Sequence, residues 1–506
     1  MQQESIEGVL QKLEQVLDAI NKTELSHAHL LQNIHPNYTY AARNFIHYLS
    51  FRCFDLRQEQ EILSAIGVSS LGNIESHVKP SVENVIYLLK SLLSGAPVHF
   101  DQVAATGIAC LHSNHINENN VKRLLSKNSA SKRTRIMVTM PGNAGQEIDL
   151  IPDLLSAGMD IARINTGHDT EKEWKQIVDA IKSSNQAQKQ HCSIYIDLAG
   201  PKIRTALLSE KPKKQITLQI GDELEVHAAK IRYQKLKRDK DGVLLQRAKI
   251  TITLPSIVQD VRYGEQIWFD DGKIGGVITA CEPSHFVVRI TKCAVNGSKL
   301  ANEKGINLPN SKLNLPSLTD DDLKALPFIG EHADALGYSF VRVPKDIVAL
   351  QKELQTLGKE DIGIVLKIEN EEAFKNLPYL LLQAMQSPNI GVMIARGDLA
   401  VELGVERIAE VQEEILWLCE AALIPNIWAT QVLEALAKKG IATRAEVTDA
   451  SMASRSECVM LNKGPHIVET VRILKNIINR MHGHQNKKRG NLRALSIARE
   501  FLEISC

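Results

Sequence analysis

Several features that would assign this chain to a special class of protein are missing from its sequence. Its eight cysteines lie far apart and form no Cys-x-x-Cys pair, so neither a zinc knuckle nor a dithiol redox motif is indicated. The formal net charge of +1 gives no general basis for binding nucleic acid, because such binding needs a basic surface. No uninterrupted apolar run reaches the roughly 20 residues that span a bilayer. We therefore expect a cytoplasmic protein without nucleic-acid or membrane partners.

No secretion signal is expected from residues 1–17, since they are polar and acidic, without a basic start or an apolar centre. No repeat of fixed period is present. What remains is ordinary for globular proteins, with 44% hydrophobic and 24% charged residues. At about 100–200 residues per domain, a chain of 506 residues predicts about three domains.

The hydrophobic pattern changes along the chain and predicts its organisation. Apolar residues recur at helical spacing near the amino terminus, and a polar run at residues 126–133 indicates a solvated linker, with anion binding as the alternative. The predicted segments are a helical region with its linker (1–133), barrel strands one to three (134–205), an all-β insertion (206–300), barrel strands four to eight (301–482) and a tail (483–506).

The predicted barrel depends on eight short, nearly continuous apolar runs, most of them separated by stretches of helical period. Such runs are typical of parallel strands that are buried on both faces, and eight of them close a (β/α) barrel of the TIM type. The runs lie at residues 135–140, 161–165, 193–198, 335–341, 362–368, 389–395, 425–429 and 457–461.

Between residues 206 and 300 the period changes to two, and Gly-Asp and Asp-Gly turns interrupt the alternation. This pattern predicts a β domain inserted after the third barrel strand. Its basic stretch at residues 235–240 is interpreted as a solvated hairpin. Nucleic-acid binding there is the alternative, and it lacks the interleaved aromatic residues that such binding uses.

Polar residues follow the apolar runs, where a barrel keeps its catalytic groups. Glu369 and Asp398 follow neighbouring strands, and Mg²⁺ prefers one or two carboxylates with water and substrate oxygens in the remaining positions. The alternative is a pair of carboxylates that Arg163, Arg204 or Lys367 neutralises.

Lys367 lies two residues before Glu369, so both side chains point to the same side of the strand. A lysine there can neutralise a transferring phosphoryl group and an enolate oxygen. Arg163 and Arg204 supply phosphate donors, and the helix expected to begin at Gly397 offers N–H groups to a carboxylate. Together these groups describe a site for a small phosphorylated carboxylic acid.

From residue 134 to about 480 the chain resembles the pyruvate kinase family, in the order of its motifs as well as in their residues. The stretches that carry this resemblance are LLSAGMDIARIN, IDLAGPKIRT, LPSLTDDDLKAL, YSFVR, LKIENEEAFKNL, IARGDLAVELG, WATQVLEAL and TRAEVTDAS.

The resemblance implies phosphoryl transfer from phosphoenolpyruvate to ADP, which gives pyruvate and ATP, beneath a β lid formed by the insertion. By this resemblance Glu369 and Asp398 hold Mg²⁺ or Mn²⁺, while Lys367, Arg163 and Arg204 stabilise the phosphoryl group. Thr430 lies where the family places a residue near the face on which enolpyruvate is protonated. The substrate-binding and cofactor-binding set is expected to comprise Arg163, Asn165, His168, Lys202, Gly397 and Asp398.

Departures from the family pattern concern its monovalent cation. The family binds this ion with an Asn and a Ser after strand two and an Asp at strand three. Asn165 and Asp197 match, but Gly167 stands in place of the serine, so the site is vestigial. Lys202 occupies a position at which lysine accompanies independence from K⁺ in the family. We therefore expect an activity that needs Mg²⁺ but not K⁺.

Other departures concern the ends of strands one and eight. Residues 139–143 and 462–465 replace the family's usual polar sets, which leaves enolate protonation open. The family's carboxyl-terminal regulatory domain has no counterpart, so regulation of the usual kind is not expected. The tail, basic at residues 487–489, is expected to end in a helix packed on the body, with binding to an acidic partner as the alternative. The helical region before residue 134 has no assigned role and could cap the barrel, form a homo-oligomer or bind a partner.

Two other functions compete with the kinase. One is a Mg²⁺-dependent lyase or aldolase that acts on a 2-oxo acid enolate, and the other is a catalytically impaired scaffold. The insertion and the two phosphate arginines favour phosphoryl transfer over the lyase. A buried lysine and carboxylates kept without a ligand would cost stability, which disfavours the scaffold.

Overall fold

A computed structural model describes residues 3–125, 134–189, 191–207, 215–239, 244–482 and 496–502. The predicted linker at 126–133, the basic tail at 487–489 and the last residue of the basic stretch, Lys240, lie outside the described residues.

Five helices form the amino-terminal region, as the apolar spacing predicts. In the first of them Leu13, Val16 and Ile20 recur on one face and are fully buried. The helices are α1 (Gln3–Ser26), α2 (Thr39–Phe51), α3 (Arg57–Ala65), α4 (Val78–Ser94) and α5 (Phe100–Leu125), with short 3₁₀ turns at Ala28–Leu31, Pro36–Tyr38 and Glu75–His77.

The barrel begins after this region and is interrupted by a small domain. Its first part contains β1 (Arg135–Thr139), α6 (Leu150–Ala157), β2 (Ile161–Asn165), α7 (Glu171–Gln188) and β3 (Ser193–Asp197). The small domain, residues 205–307, contains β4 (Thr205–Ala206), β5 (Ile216–Leu218), β6 (Glu223–His227), β7 (Lys237–Arg238), β8 (Leu244–Gln246), β9 (Ala248–Ile252), a 3₁₀ turn (Pro255–Gln259), β10 (Gln266–Phe269), β11 (Ile274–Glu282), β12 (His285–Lys292), β13 (Ser298–Leu300) and β14 (Ile306–Asn307).

The second part of the barrel completes the chain. It contains α8 (Asp320–His332), β15 (Ala335–Tyr338), α9 (Pro344–Thr356), β16 (Gly363–Ile368), α10 (Glu371–Lys375), α11 (Leu377–Ala384), β17 (Ile390–Ala395), α12 (Arg396–Leu403), α13 (Ile408–Ala421), β18 (Asn426–Ala429), α14 (Glu434–Lys439), α15 (Arg444–Ala453), β19 (Cys458–Leu461), α16 (Ile467–His482) and α17 (Ser496–Phe501).

The eight predicted apolar runs form one closed parallel barrel in the order β1-β19-β18-β17-β16-β15-β3-β2, which confirms the predicted fold class. Thr170 and Thr443 begin barrel helices with capping boxes, in which Glu173 and Glu446 bond back to the cap residue. Each of these local signals sets where a helix starts after a barrel strand. Because all eight strands are parallel, their carboxyl ends meet at one rim.

The small domain is built on a seven-stranded sheet in the order β14-β10-β11-β12-β6-β9-β4, and it has its own hydrophobic core. The predicted insertion ends at residue 300, but the sheet extends further, because Ile306 and Asn307 pair with β10. The chain therefore enters the small domain beside Arg204 and leaves it near Gly305, and these two residues form a bridge at the junction with the barrel.

The amino-terminal helices close the barrel at the end opposite the catalytic rim. The last turn of α5 inserts Leu124 between the starts of two strands. A Cβ atom at Gly363 would lie 2.7 Å from a Leu124 methyl group, and one at Gly391 would also collide with this leucine. The Asn120 side chain donates to the Leu423 carbonyl at 2.7 Å, and that of Asn44 donates to Ala421 at 2.8 Å. Of the roles left open for this region, the structure shows capping.

Replacement of Leu124 by alanine should destabilise the protein by about 3 kcal/mol, because the cavity forms where glycines leave no other side chain to fill it. The measurement is the free energy of unfolding in urea. Leu111→Ala is a matched control on the same helix, since Leu111 is 72% exposed, and it should change stability by less than about 0.5 kcal/mol. Equal losses of stability in the two variants would contradict the role of Leu124 in filling the end of the barrel.

The carboxyl-terminal helix α17 packs on the body, as predicted. The Tyr379 hydroxyl donates to the Phe501 carbonyl at 2.9 Å, and the Phe501 ring is buried. Across the part of the chain that the structure describes, no helix combines the length and hydrophobicity needed to cross a membrane.

Candidate active site

A cavity of about 300 Å³ lies between the carboxyl ends of the barrel strands and the small domain. From the barrel it is lined by nine residues that the sequence singled out: Arg163, Asn165, Gly167, His168, Lys202, Lys367, Glu369, Asp398 and Thr430. Arg204, Asp270 and Glu303 approach from the small domain and its junction. Tertiary folding thus gathers the predicted set in one place, with Asp197 just beneath it.

Asp197 is fully buried, and two partners already hold its carboxylate. Arg163 bonds to Oδ2 through Nε at 2.6 Å and also donates to Thr139 at 2.8 Å, while the Tyr195 hydroxyl donates to Oδ1 at 2.7 Å. Burial alone would raise the pKa of Asp197, but Arg163 and Lys367 outweigh burial and hold this pKa below its usual value. A predicted ligand of the vestigial monovalent-cation site is therefore neutralised by an arginine.

This arrangement requires glycine at position 337 on the adjacent strand. A Cβ atom there would overlap both Asp197 Oδ1 and the Tyr195 hydroxyl. The absence of a side chain at Gly337 therefore makes room for the buried carboxylate.

Lys367 and Glu369 lie on the same side of β16, as predicted, with Nζ 3.0 Å from Glu369 Oε1. Burial lowers the pKa of Lys367, but Asp197 and Glu369 more than compensate and raise it, so the ammonium is charged at neutral pH. Burial raises the pKa of Glu369, and the negative charge of Asp398 adds to this effect. The two carboxylates are close enough to repel each other.

Asp398 pairs with Lys202, a residue that the sequence analysis connected with independence from K⁺. Lys202 Nζ lies 3.1 Å from Asp398 Oδ1 and 3.3 Å from Oδ2, so Lys202, rather than Arg163, Arg204 or Lys367, neutralises this carboxylate. Glu369 and Asp398 nevertheless line the same cavity and interact electrostatically. Two hard oxygen ligands beside an open volume fit Mg²⁺, which completes its shell with water and substrate oxygens.

The helix α12 begins at Arg396, close to the predicted position, but its first N–H groups are not all free. The Gly397 N–H donates to Thr430 Oγ1 at 2.8 Å, so the predicted carboxylate-binding helix terminus has already used one donor. Thr430 has a left-handed backbone with φ of 66°. Arg396 holds this conformation by donating to the Thr430 carbonyl at 2.6 Å while pairing with Asp449 at 2.5 Å.

Three predicted residues lie towards the mouth of the cavity. Arg204 donates to the Glu303 carbonyl at 3.3 Å, and Asn165 Oδ1 accepts from the Gly167 N–H at 3.0 Å. Burial lowers the pKa of His168, and the nearby positive charge of Arg204 lowers it further. Arg204 thus brings a positive charge to the mouth of the cavity, where it can attract an anionic ligand.

Sequence reasoning missed Ser339 and Phe340, which follow the fourth barrel strand. The Lys367 ammonium donates to Ser339 Oγ at 2.7 Å, and the Phe340 N–H donates to Glu369 Oε2 at 2.8 Å. The signal that could have identified them is their place in the YSFVR motif directly after an apolar run. The role of Asp449 was missed because its partner Arg396 is distant in sequence.

Among the hydrogen bonds that join the small domain to the rest of the chain, the one between Asn307 and Glu402 involves a titratable carboxyl group. Asn307 Nδ2 donates to Glu402 Oε1 at 2.9 Å, and burial raises the pKa of Glu402 to about 7. A pKa above the ordinary value of 4.5 means that the folded protein binds this proton more tightly than the unfolded chain. The resulting stability is fully present below about pH 4.5 and is lost as the pH rises through about 7.

Glu402→Gln should therefore raise the melting temperature at pH 8 and leave it unchanged near pH 4.5, because glutamine stays neutral and still accepts from Asn307. Thermal unfolding at the two pH values measures this difference. Glu406→Gln, an exposed neighbour, should give no such pH dependence. An equal gain at both pH values would contradict the raised pKa.

A closed barrel of eight parallel strands, with a charged cavity at the carboxyl ends beneath a second domain, defines the class of (β/α)₈-barrel enzymes. The model of the pyruvate kinase barrel domain matches residues 131–466. The chain belongs to the pyruvate kinase family.

Curated relatives agree with this assignment. The pyruvate kinase of Staphylococcus saprophyticus is 30% identical over 365 residues, which are 71% of this chain and 58% of that protein. The pyruvate kinase of Bacillus licheniformis is 31% identical over 365 residues, with the same two shares. That of Geobacillus stearothermophilus is 31% identical over 353 residues, or 68% of this chain and 56% of the relative. The match spans less than two thirds of the length of these relatives, and it supports a pyruvate kinase-like enzyme.

Proposed function

We propose that this protein transfers the phosphoryl group of phosphoenolpyruvate to ADP, with Mg²⁺ or Mn²⁺ and without a need for K⁺. The observation that supports this proposal best is the buried Lys367 ammonium, which faces a cavity shared with Glu369 and Asp398. A fixed cation beside two metal-binding carboxylates suits a reaction in which negative charge moves from a phosphoryl group to an enolate oxygen.

In the proposed reaction an oxygen of the ADP β-phosphate bonds to the phosphorus atom. The bond from phosphorus to the enol oxygen breaks, the electron pair passes to that oxygen, and the methylene carbon takes up a proton to give pyruvate. Lys367 stabilises the charge on the enol oxygen, while the guanidinium group of Arg204 attracts the anionic substrates to the cavity that His168 also lines. The Thr430 hydroxyl accepts from Gly397, which leaves its own proton to be donated towards the cavity that it lines.

Glu369 and Asp398 would hold the divalent cation, which when bound neutralises phosphoryl charge. Lys202 Nζ pairs with Asp398 at 3.1 Å and so offsets the negative charge of one of these ligands. The small domain covers the cavity and limits access of water, which would otherwise compete with ADP for the phosphoryl group.

Independence from K⁺ is supported by the charges at the vestigial cation site. Arg163 pairs with Asp197, Lys202 lines the same cavity as Asn165, and Gly167 offers no hydroxyl ligand. Turnover of the wild-type protein should stay constant when K⁺ is replaced by tetramethylammonium at equal ionic strength. Strong activation by K⁺ would contradict this prediction.

Lys202→Gln should lower turnover by roughly tenfold or more, because it removes a preorganised charge from the site. K⁺ should not restore the lost turnover, since Arg163 still pairs with Asp197. The matched control Lys273→Gln removes a lysine from the small domain outside the cavity lining and should keep normal turnover. Full rescue by K⁺ would show that Asn165 and Asp197 retain a working monovalent site.

Formation of pyruvate from phosphoenolpyruvate and ADP, followed with and without Mg²⁺, tests the proposed function. Mg²⁺-dependent turnover with stoichiometric ATP is expected. No turnover with either Mg²⁺ or Mn²⁺ would reject the proposal and leave the lyase and the scaffold as the remaining functions. Every cysteine among the described residues is a free thiol, which supports the further proposal of a cytoplasmic location.

A further inference from the structure

The loop after β15 contacts the two charged groups of β16 through consecutive residues. Ser339 is 2% exposed, and its hydroxyl accepts from Lys367 Nζ at 2.7 Å while it donates to the Leu198 carbonyl at 2.6 Å. Phe340 donates its backbone N–H to Glu369 at 2.8 Å. One residue thus contacts the lysine, and the next contacts the carboxylate.

We propose that Ser339 and Phe340 are positioning residues that orient Lys367 and Glu369 for phosphoryl transfer. This inference rests on the proposed function. The two residues act through their neighbours, since the hydroxyl and the N–H bond to Lys367 and Glu369 and not to the reacting atoms.

The geometry of the ammonium group supports this role. A lysine has three N–H donors and no acceptor. Ser339 and Glu369 take two of them, and the next carboxylate, Asp197, lies 3.8 Å from Nζ, beyond hydrogen-bonding distance. Fixing two donors leaves the third to point into the cavity, where it can meet a developing negative charge without reorganisation.

The backbone of the loop after β15 adopts an unfavourable conformation at Phe340. Phe340 has φ of 57°, a left-handed conformation that is rare for a bulky residue and costs about 1–3 kcal/mol. This conformation turns the Phe340 N–H towards Glu369. Gly200, itself left-handed at φ of 67°, permits the contact, because a Cβ atom there would lie 2.8 Å from the Phe340 ring and 3.0 Å from Ser339 Cβ.

The same loop also connects Lys367 to the segment that leads from β3 to the small domain. The Leu198 carbonyl that accepts from Ser339 follows directly after Asp197, and Lys202 Nζ lies 5.8 Å from the Phe340 ring centroid. The segment that leads from β3 to the small domain therefore abuts the loop that holds Lys367. Replacement of Ser339 should therefore change the orientation of Lys367 while the overall fold is kept.

Ser339→Ala should lower kcat by about tenfold with little change in the KM for phosphoenolpyruvate, because a buried ammonium donor loses its acceptor and no longer holds its orientation. Ser339→Thr keeps the hydroxyl and should restore most of the rate. Ser311→Ala, a serine that follows the small domain and lies outside the cavity lining, is the matched control and should keep both constants. An unchanged kcat in Ser339→Ala, or a loss that Ser339→Thr shares, would overturn the inference.

A readout independent of activity separates this inference from the proposed function. A crystal structure of Ser339→Ala should show Lys367 Nζ moved towards Asp197 Oδ2, within hydrogen-bonding distance of an atom now 3.8 Å away. An unmoved Nζ would reject the positioning role even if the wild-type protein is an active kinase. A wild-type protein without kinase activity but with this movement in the variant would retain the positioning role and reject the kinase.

Discussion

Lys367→Met should lower the turnover of phosphoenolpyruvate and ADP by roughly 10²-fold or more, the scale for removing one preorganised donor that stabilises charge. Methionine matches the length of the lysine stem but carries no charge. The enol oxygen would then develop its negative charge without a fixed cation, although the divalent cation could still bind to Glu369 and Asp398. The loss should appear in kcat more than in KM.

A melting temperature and a control variant are needed to interpret this loss of turnover. Lys367→Met removes the ammonium group that pairs with the buried Glu369 and lies near Asp197, so the melting temperature must be recorded to show that the variant is folded at the assay temperature. Lys375→Met removes an exposed lysine eight residues after Lys367 and should keep wild-type turnover. A loss below about tenfold would mean that Lys367 does not stabilise the transition state.

Asp398→Ala should abolish Mg²⁺-dependent turnover, with a fall of about 10³-fold or more, because a metal ion contributes several kcal/mol of charge stabilisation. The substitution removes one of two candidate metal ligands and releases Lys202 into the cavity, where its uncompensated charge competes with the cation. Turnover at increasing Mg²⁺ and Mn²⁺ concentrations measures the effect, and excess metal should not restore the rate.

The control for this variant is Asp321→Ala, which removes an aspartate whose side chain is 87% exposed at the start of a barrel helix. It should keep the wild-type rate and the wild-type dependence on Mg²⁺. Binding of Mn²⁺ to the two variants, followed by electron paramagnetic resonance, should separate them in the same way. Undiminished Mn²⁺ binding by Asp398→Ala would show that the metal lies elsewhere.

The sequence alone predicted the barrel because the signals that define its strands are local. An apolar run of five to seven residues between helical stretches requires burial on both faces, and the predicted runs at 161–165 and 362–368 lie where β2 and β16 formed. The candidate residues followed from the same argument, since a side chain directly after such a run must lie at the carboxyl rim. This is why Lys367, Glu369 and Asp398 could be placed around one cavity without coordinates.

The partners of these charges could not be predicted from the sequence. Lys202 pairs with Asp398, a residue 196 positions away, because the closure of the barrel and the entry to the small domain bring them together. Arg163, expected to contact phosphate, is held by Asp197 on the neighbouring strand. Spacing along a chain shows which rim a side chain occupies, but the distances across that rim depend on strand order and stagger.

The sequence therefore determined the family resemblance, the eight strands and the identity of ten of the residues that line the cavity. The tertiary structure decided which charged side chains pair with each other. It also decided that Ser339 and Phe340 bond to Lys367 and Glu369, and that Leu124 fills the far end of the barrel. The physical reason is the range of the interactions. Burial and helix capping act over a few neighbouring residues, whereas ion pairs and close packing form between segments that only the complete fold brings into contact.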